Sequence, residues 1–240
     1  MRIILALAAT DIRNIRRDAL LRFLLVYPLA LGLLLYWFVP FATERLAGRV
    51  DLVPHYDLII AYFGILITPQ ISGLLIGFLL LDERDDRTMS ALQVTPLSMN
   101  AYVGYRLTLP VLVSLVATYL VLWMVNVVDV PYAKLLPIAL LASMEAPIFG
   151  LMLVAVAKNK VQGVALMKGL GIFSVAPIAA WFVAEPWQYL FGVVFTYWPA
   201  KAYWEMMDGA SMGLSLGVGL VLHLVILLLL LRRFNRVMYR

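Results

Sequence analysis

Runs of about twenty apolar residues, each closed by a short polar break, repeat along the chain. Crossing a hydrocarbon core of roughly 30 Å takes about 20 helical residues. Six runs meet that length, over residues 20–39, 58–81, 101–128, 132–157, 161–183 and 212–231. Several contain proline, at Pro69, Pro110, Pro137 and Pro177, a kink that a spanning helix tolerates where its neighbours re-satisfy the freed carbonyl. Ahead of the first run, Ile4, Leu5, Ala8, Ile12, Ile15 and Ala19 recur at helical spacing opposite Asp11, Asn14, Arg17 and Asp18. That pattern predicts an amphipathic helix lying in the membrane interface over residues 1–19. A secretory leader is the competing reading, and Arg13, Arg16 and Arg17 directly after so short an apolar run argue against export.

Residues 184–209 are apolar and aromatic but broken by Pro186 and Pro199, so neither piece is long enough to span. The stretch predicts an exterior re-entrant hairpin before the last span, with Trp187, Tyr189, Tyr197, Trp198, Tyr203 and Trp204 at headgroup depth and Pro199 and Trp204 as candidate gate residues. A plain aromatic belt is the alternative. The predicted fold class is an all-α integral membrane protein of six transmembrane helices, one domain over residues 1–240.

Composition sharpens the picture. Apolar residues make up 64% of the chain and charged ones 14%, against about 25% charged in a typical soluble domain. Of the 19 lysines and arginines, fifteen flank the breaks on one side and only Arg45, Arg49, Lys134 and Lys201 fall on the other. Positive residues beside short loops are retained in the cytoplasm, so both termini are expected there, in a multi-pass protein of the plasma or inner membrane. The net charge of +5 then reflects topology and not nucleic acid, which would need a solvated basic face with interleaved aromatics.

There is no cysteine, which removes disulfides and thiolate chemistry. No Gly-Lys dipeptide occurs, so there is no phosphate-cradling GxxxxGK[ST] loop, and the chain is not expected to be an enzyme. His55 and His223 are the only histidines and lie far apart, a poor start for a metal site.

Two sets of polar residues stand out from this background. The first is the run of six charges from Asp82 to Arg87, inside the segment 82–98 between the second and third spans. With Met89, Leu92 and Val94 as apolar anchors and Pro96 as a stop, it predicts a short cytoplasmic helix over 82–94 with carboxylates in its first turn. Two readings compete with a docking role. One is a plain solvated loop; the other is a membrane-embedded lipid-modifying enzyme using Asp82, Asp85 and Asp86 on Mg²⁺, although Arg84 and Arg87 already neutralise them. The second set is Gln70, Glu145 and His223, near the middle of the second, fourth and sixth spans. Polar side chains at that depth face the bundle interior, lining a substrate pathway or making a structural hydrogen bond. No internal repeat is visible, nor a second counterpart of the Thr68-Pro69-Gln70 break, as a self-sufficient secondary carrier or channel would typically show.

The segment 82–98 resembles the cytoplasmic coupling segment of ABC-2 type permeases. In that family the second span ends in an acidic-basic pair, followed by a Thr, a Leu, a Thr/Ser-Pro-Leu/Val-Ser step and a basic residue opening the third span. Glu83 and Arg84, Thr88, Leu92, Thr95 to Ser98, and Arg106 occupy those places; Arg87 departs, standing where many members have Gly. The likeness continues through Ala157 to Leu166 and Pro199 to Trp204, and is nearest to the fluoroquinolone-type drug-export permeases. The resemblance implies a permease subunit of an ATP-driven exporter of small amphiphilic, drug-like or lipid-like compounds. It would work as a dimer of identical or paralogous copies, with ATP and Mg²⁺ held by a separate cytoplasmic ABC ATPase that contacts Glu83, Arg84, Asp86, Arg87, Thr88 and Leu92.

Overall fold

The computed structural model describes residues 2–86 and 99–238, and every regular element among them is helical. Helix α1 (Arg2–Arg17) carries the predicted amphipathic pattern. The chain breaks at Asp18, whose extended backbone and side chain cap α2 (Ala19–Leu46), the carboxylate accepting the Leu21 N–H at 2.9 Å. With 28 residues, α2 runs past the predicted end of the first span. The second spanning segment begins at Val53, so the loop expected over 40–57 contracts to a few residues around Gly48.

That second segment is composite. It consists of a 3-10 turn (Val53–His55), α3 (Tyr56–Ile60), a π-helical stretch (Ala61–Ile67) and α4 (Thr68–Asp85). Pro69 explains the change of register, because it has no N–H for the carbonyl four residues back. Within the same stretch the Thr68 hydroxyl donates to the Phe63 carbonyl, five residues back, at 3.0 Å. Helix α5 (Met99–Val125) is the third span. The fourth is split at Met144 into α6 (Tyr132–Ser143) and α7 (Glu145–Val156), with Pro147 unable to donate to Ser143. The fifth is split too, into α8 (Lys160–Leu170), a 3-10 turn (Gly171–Ser174) and α9 (Val175–Trp181). Pro177 frees the Phe173 carbonyl, and the Thr196 hydroxyl takes it at 2.5 Å. The Thr68-Pro69-Gln70 break therefore does have counterparts. They escape a sequence reading because the interruption is a change of helical register inside an apolar run, and hydropathy does not register it. A 3-10 stretch (Trp187–Val193) and α10 (Tyr197–Met207) precede α11 (Gly213–Met238).

Six helical segments among the described residues are long and apolar enough to cross a membrane: Ala19–Leu46, Val53–Asp85, Ala101–Val125, Tyr132–Val156, Lys160–Trp181 and Gly213–Phe234. The second and fourth form the centre, with 89% and 78% of their apolar windows buried against 17–33% for the other four. Their intimacy comes from glycine. A Cβ on Gly73 of α4 would run into the Ala146 carbonyl of α7, and one on Gly150 would lie 2.9 Å from the Gly73 carbonyl oxygen. Small residues let helix backbones approach where lipid supplies no hydrophobic drive for association. Around this pair, Leu24, Phe78, Tyr102 and Leu153 fill one end of the bundle, and Leu35, Ile65, Val121, Ile138 and Tyr203 the other.

Candidate functional site

The charged cluster begins one turn before the end of α4. Asp82, Glu83 and Asp85 sit in the last turn of the second span and not in the first turn of a new helix, so the helix expected over 82–94 does not start at Asp82, and its residues 87–94 lie outside the described residues. Carboxylates at a helix C-terminus oppose the helix dipole, so each needs compensation from elsewhere in the fold.

Glu83 finds it in Arg106 of α5. The two form a buried ion pair, the Tyr102 hydroxyl also donates to Glu83, and Arg106 donates a bidentate pair to Asp11 of α1 at 2.8 and 3.0 Å. The Tyr105 hydroxyl donates to the same Asp11 carboxylate at 2.7 Å. Asp11, Glu83 and Arg106 are 4%, 8% and 4% exposed. The guanidinium lies 5.5 and 5.3 Å from the Tyr102 and Tyr105 ring centres, a favourable placement for a cation. This cluster ties α1 to both helices that flank residues 87–98.

A second knot lies beside it. The Lys160 ammonium of α8 donates to Asp18 at 2.7 Å and to both oxygens of Asp82 at 2.9 Å, and its backbone N–H reaches Asp85 at 3.4 Å. Partial burial works to raise the Asp18 pKa, but the Lys160 hydrogen bond and charge and the Leu21 N–H prevail and hold it below the usual carboxylate range. Arg84 donates to the Val154 and Ala157 carbonyls at 3.3 and 2.5 Å, closing the C-terminal end of α7. Glu83 and Arg84 are thus turned inward. Asp85 and Asp86 are exposed, and Arg87, Thr88 and Leu92 lie outside the described residues.

Deeper in the bundle, Gln70 accepts a hydrogen bond from Ser174 at 3.1 Å, joining the breaks in the second and fifth spans. Glu145 opens α7 immediately after the break at Met144, and its Oε1 lies 3.9 Å from His223 Nε2 of α11. Both residues are fully buried, while Gln70 is 3% exposed. His223 Nδ1 contacts the Gly219 carbonyl oxygen at 2.7 Å, whereas neither Glu145 oxygen nor His223 Nε2 has a hydrogen-bond partner among the described residues. The structure brings Glu145 and His223 together and pairs Gln70 with Ser174.

At the opposite end, α10 is buried on every face from Tyr197 to Met206. Trp204 packs edge-on against Trp181 with ring centres 5.0 Å apart. Pro199 is buried in the first turn of the same helix. Lys201 pairs with Glu185, and Tyr203 donates to Asp57 at 3.4 Å. The headgroup-depth placement expected for the aromatic residues of the 184–209 hairpin therefore does not hold for most of them. Trp187 is exposed, while Tyr197, Trp198, Tyr203 and Trp204 are core residues, because α10 is packed into the apolar core on every face.

Asp11, Asp18, Tyr102, Tyr105 and Lys160 were not singled out by the sequence. Asp11 and Asp18 read there as the polar face of an interfacial helix. The one signal was carboxylates in an otherwise basic segment.

The family model described as "Fluoroquinolones export permease protein Rv2686c-like" matches residues 11–231. Two curated relatives from Mycobacterium tuberculosis are each 35% identical over 238 residues, covering 98% of this chain and 94% of theirs. They are fluoroquinolones export permease protein MT2760 of strain CDC 1551 / Oshkosh and Rv2686c of strain ATCC 25618 / H37Rv. No solved structure matches the chain.

Proposed function

Because the chain belongs to the Rv2686c-like fluoroquinolone export permease family, we propose that it is the multi-pass permease subunit of an ATP-driven drug exporter, with ATP and Mg²⁺ held by a separate cytoplasmic ABC ATPase. The observation that carries this reading is the buried Asp11–Arg106–Glu83 cluster. It clamps together the two helices from which residues 87–98 depart, so a push on that segment would move α1, α4 and α5 as one body. Asp86, Arg87, Thr88 and Leu92 are then the contact surface for the ATPase, while Glu83 and Arg84 transmit from behind it. Both termini lie on the cytoplasmic side in this arrangement.

The substrates are small amphiphilic compounds taken from the cytoplasm or the inner leaflet. Glu145 and His223 supply the polar step of the pathway, with Gln70 at the adjoining break and Pro199 and Trp204 at its far end. A second copy or paralogue completes the pathway. In support, Lys168 is exposed partway along the fifth span, where a lysine facing hydrocarbon is costly and water or protein must meet it.

Affinity isolation of the solubilised protein from native membranes tests the proposal. An ATP-binding chain should co-purify and should be lost on reversing Asp86 and Arg87. A protein that isolates alone and exports drug without ATP would overturn it. The competing reading, a self-sufficient carrier, draws on the breaks in the fourth and fifth spans and on the unpartnered Glu145–His223 pair. Export that survives ATP depletion but collapses with the proton gradient would favour it.

A further inference from the structure

Helices α8 and α11 both lean on α7 but leave an apolar groove over it. The groove encloses about 170 Å³ between Met152 and Val156 of α7, Leu166 and Leu170 of α8, and Leu230 of α11, with Arg233 at its basic end. Arg233 spends one donor on the Ala155 carbonyl at 3.2 Å, and a guanidinium has five. Lys158, two residues beyond Val156, and Arg232 are exposed at the same end. Among the described residues none of these three cations forms an ion pair. Of the carboxylates that end α4, Asp82 is held by the Lys160 ammonium and Asp85 accepts its backbone N–H, while Asp86 is exposed. The C-terminal dipole of α7 would repel an anion here, yet Arg84 and Arg233 both cap its carbonyls, leaving a net positive mouth over an apolar slot.

We infer that this groove is a binding site for an anionic phospholipid of the leaflet on the basic side. One acyl chain would lie along Leu166, Leu170 and Leu230, and the phosphate would sit among Arg233, Lys158 and Arg232. The charge complementarity favours a lipid anion. Basic pockets between spanning helices on the cytoplasmic side recognise such headgroups, and each lysine or arginine near them strengthens binding severalfold. The site is independent of the ATPase reading, since its occupancy is measured as retained lipid and not as transport.

The test uses the full-length protein in non-ionic micelles containing equal amounts of dioleoylphosphatidylglycerol and dioleoylphosphatidylcholine, followed by purification and quantification of the lipid retained. The wild type should retain the glycerol lipid in preference. Lys158→Gln and Arg233→Gln should each lower its retention by about fivefold, while Arg233→Lys should keep the preference. Ala155→Trp, which fills the slot, should lower retention of both lipids. The Lys158 side chain caps nothing in the described structure, so K158Q separates loss of charge from loss of the α7 cap. Equal retention of the two lipids by the wild type overturns the inference. Unchanged preference in K158Q/R233Q overturns it as well.

Discussion

Arg106 is the residue on which the basic end depends most. Two carboxylates and one guanidinium share a site with almost no solvent, and removing one partner of a buried pair typically costs about 3–5 kcal/mol, because the remaining charge stays buried. Arg106→Met should therefore destabilise the solubilised protein by that order. Adding Asp11→Asn and Glu83→Gln should recover most of the loss. An unfolding midpoint unmoved by Arg106→Met would show the cluster to be wet or unpaired. Lys160 is about one-quarter exposed, and its ion pairs contribute less, on the order of 1 kcal/mol. Glu145 differs, since no hydrogen bond holds its carboxyl. Glu145→Gln, nearly isosteric, should leave the fold intact and lower export of cationic substrates more than neutral ones. Equal loss of both in transport assays would assign Glu145 a folding role.

Among the elements, the packing of α4 on α7 sets the tolerance of the whole bundle. Gly73→Leu would force the helices apart at the Ala146 carbonyl, and overpacking of this kind costs roughly 1–3 kcal/mol or more. Gly104→Ala, with nothing within 4 Å of the added carbon, should be silent. Comparing the two by thermal unfolding tests the packing directly, and equal effects would count against it. Helix α8 is capped by Asn159, whose side chain accepts the Gln162 N–H at 3.0 Å. Asn159→Ala should cost about 1 kcal/mol while Asn159→Asp is tolerated, and an alanine variant as stable as wild type would show the cap to be idle. Split spans follow the same logic. Pro177 frees the Phe173 carbonyl, which the Thr196 hydroxyl then serves, while beside Pro69 the Thr68 hydroxyl bonds the Phe63 carbonyl, and the two breaks carry Gln70 and Ser174.

For the molecule as a whole, the cysteine-free sequence makes sidedness measurable. Asp86→Cys and Trp187→Cys, both at exposed positions, should react with an impermeant maleimide from opposite sides of sealed vesicles. Labelling from one side would contradict six crossings. The number of spans, their approximate limits and the amphipathic first helix were all legible in the chain. Each depends on local hydropathy measured against a bilayer of fixed thickness, and neighbouring residues alone decide it. The charged run that begins at Asp82 and the polar residues at 70, 145 and 223 were conspicuous too, since any polar group in an apolar run is. What those groups touch was not. Asp11 meets Arg106 across 95 residues, and Glu145 meets His223 because α7 and α11 pack together. Glu83 turns inward because α4 continues one turn further than the charge pattern suggests. Hydropathy and periodicity thus determined which segments enter the membrane. Only tertiary packing decided which buried charges were compensated and which were left open, because the cost of a buried charge falls on whatever distant side chain the fold brings within reach.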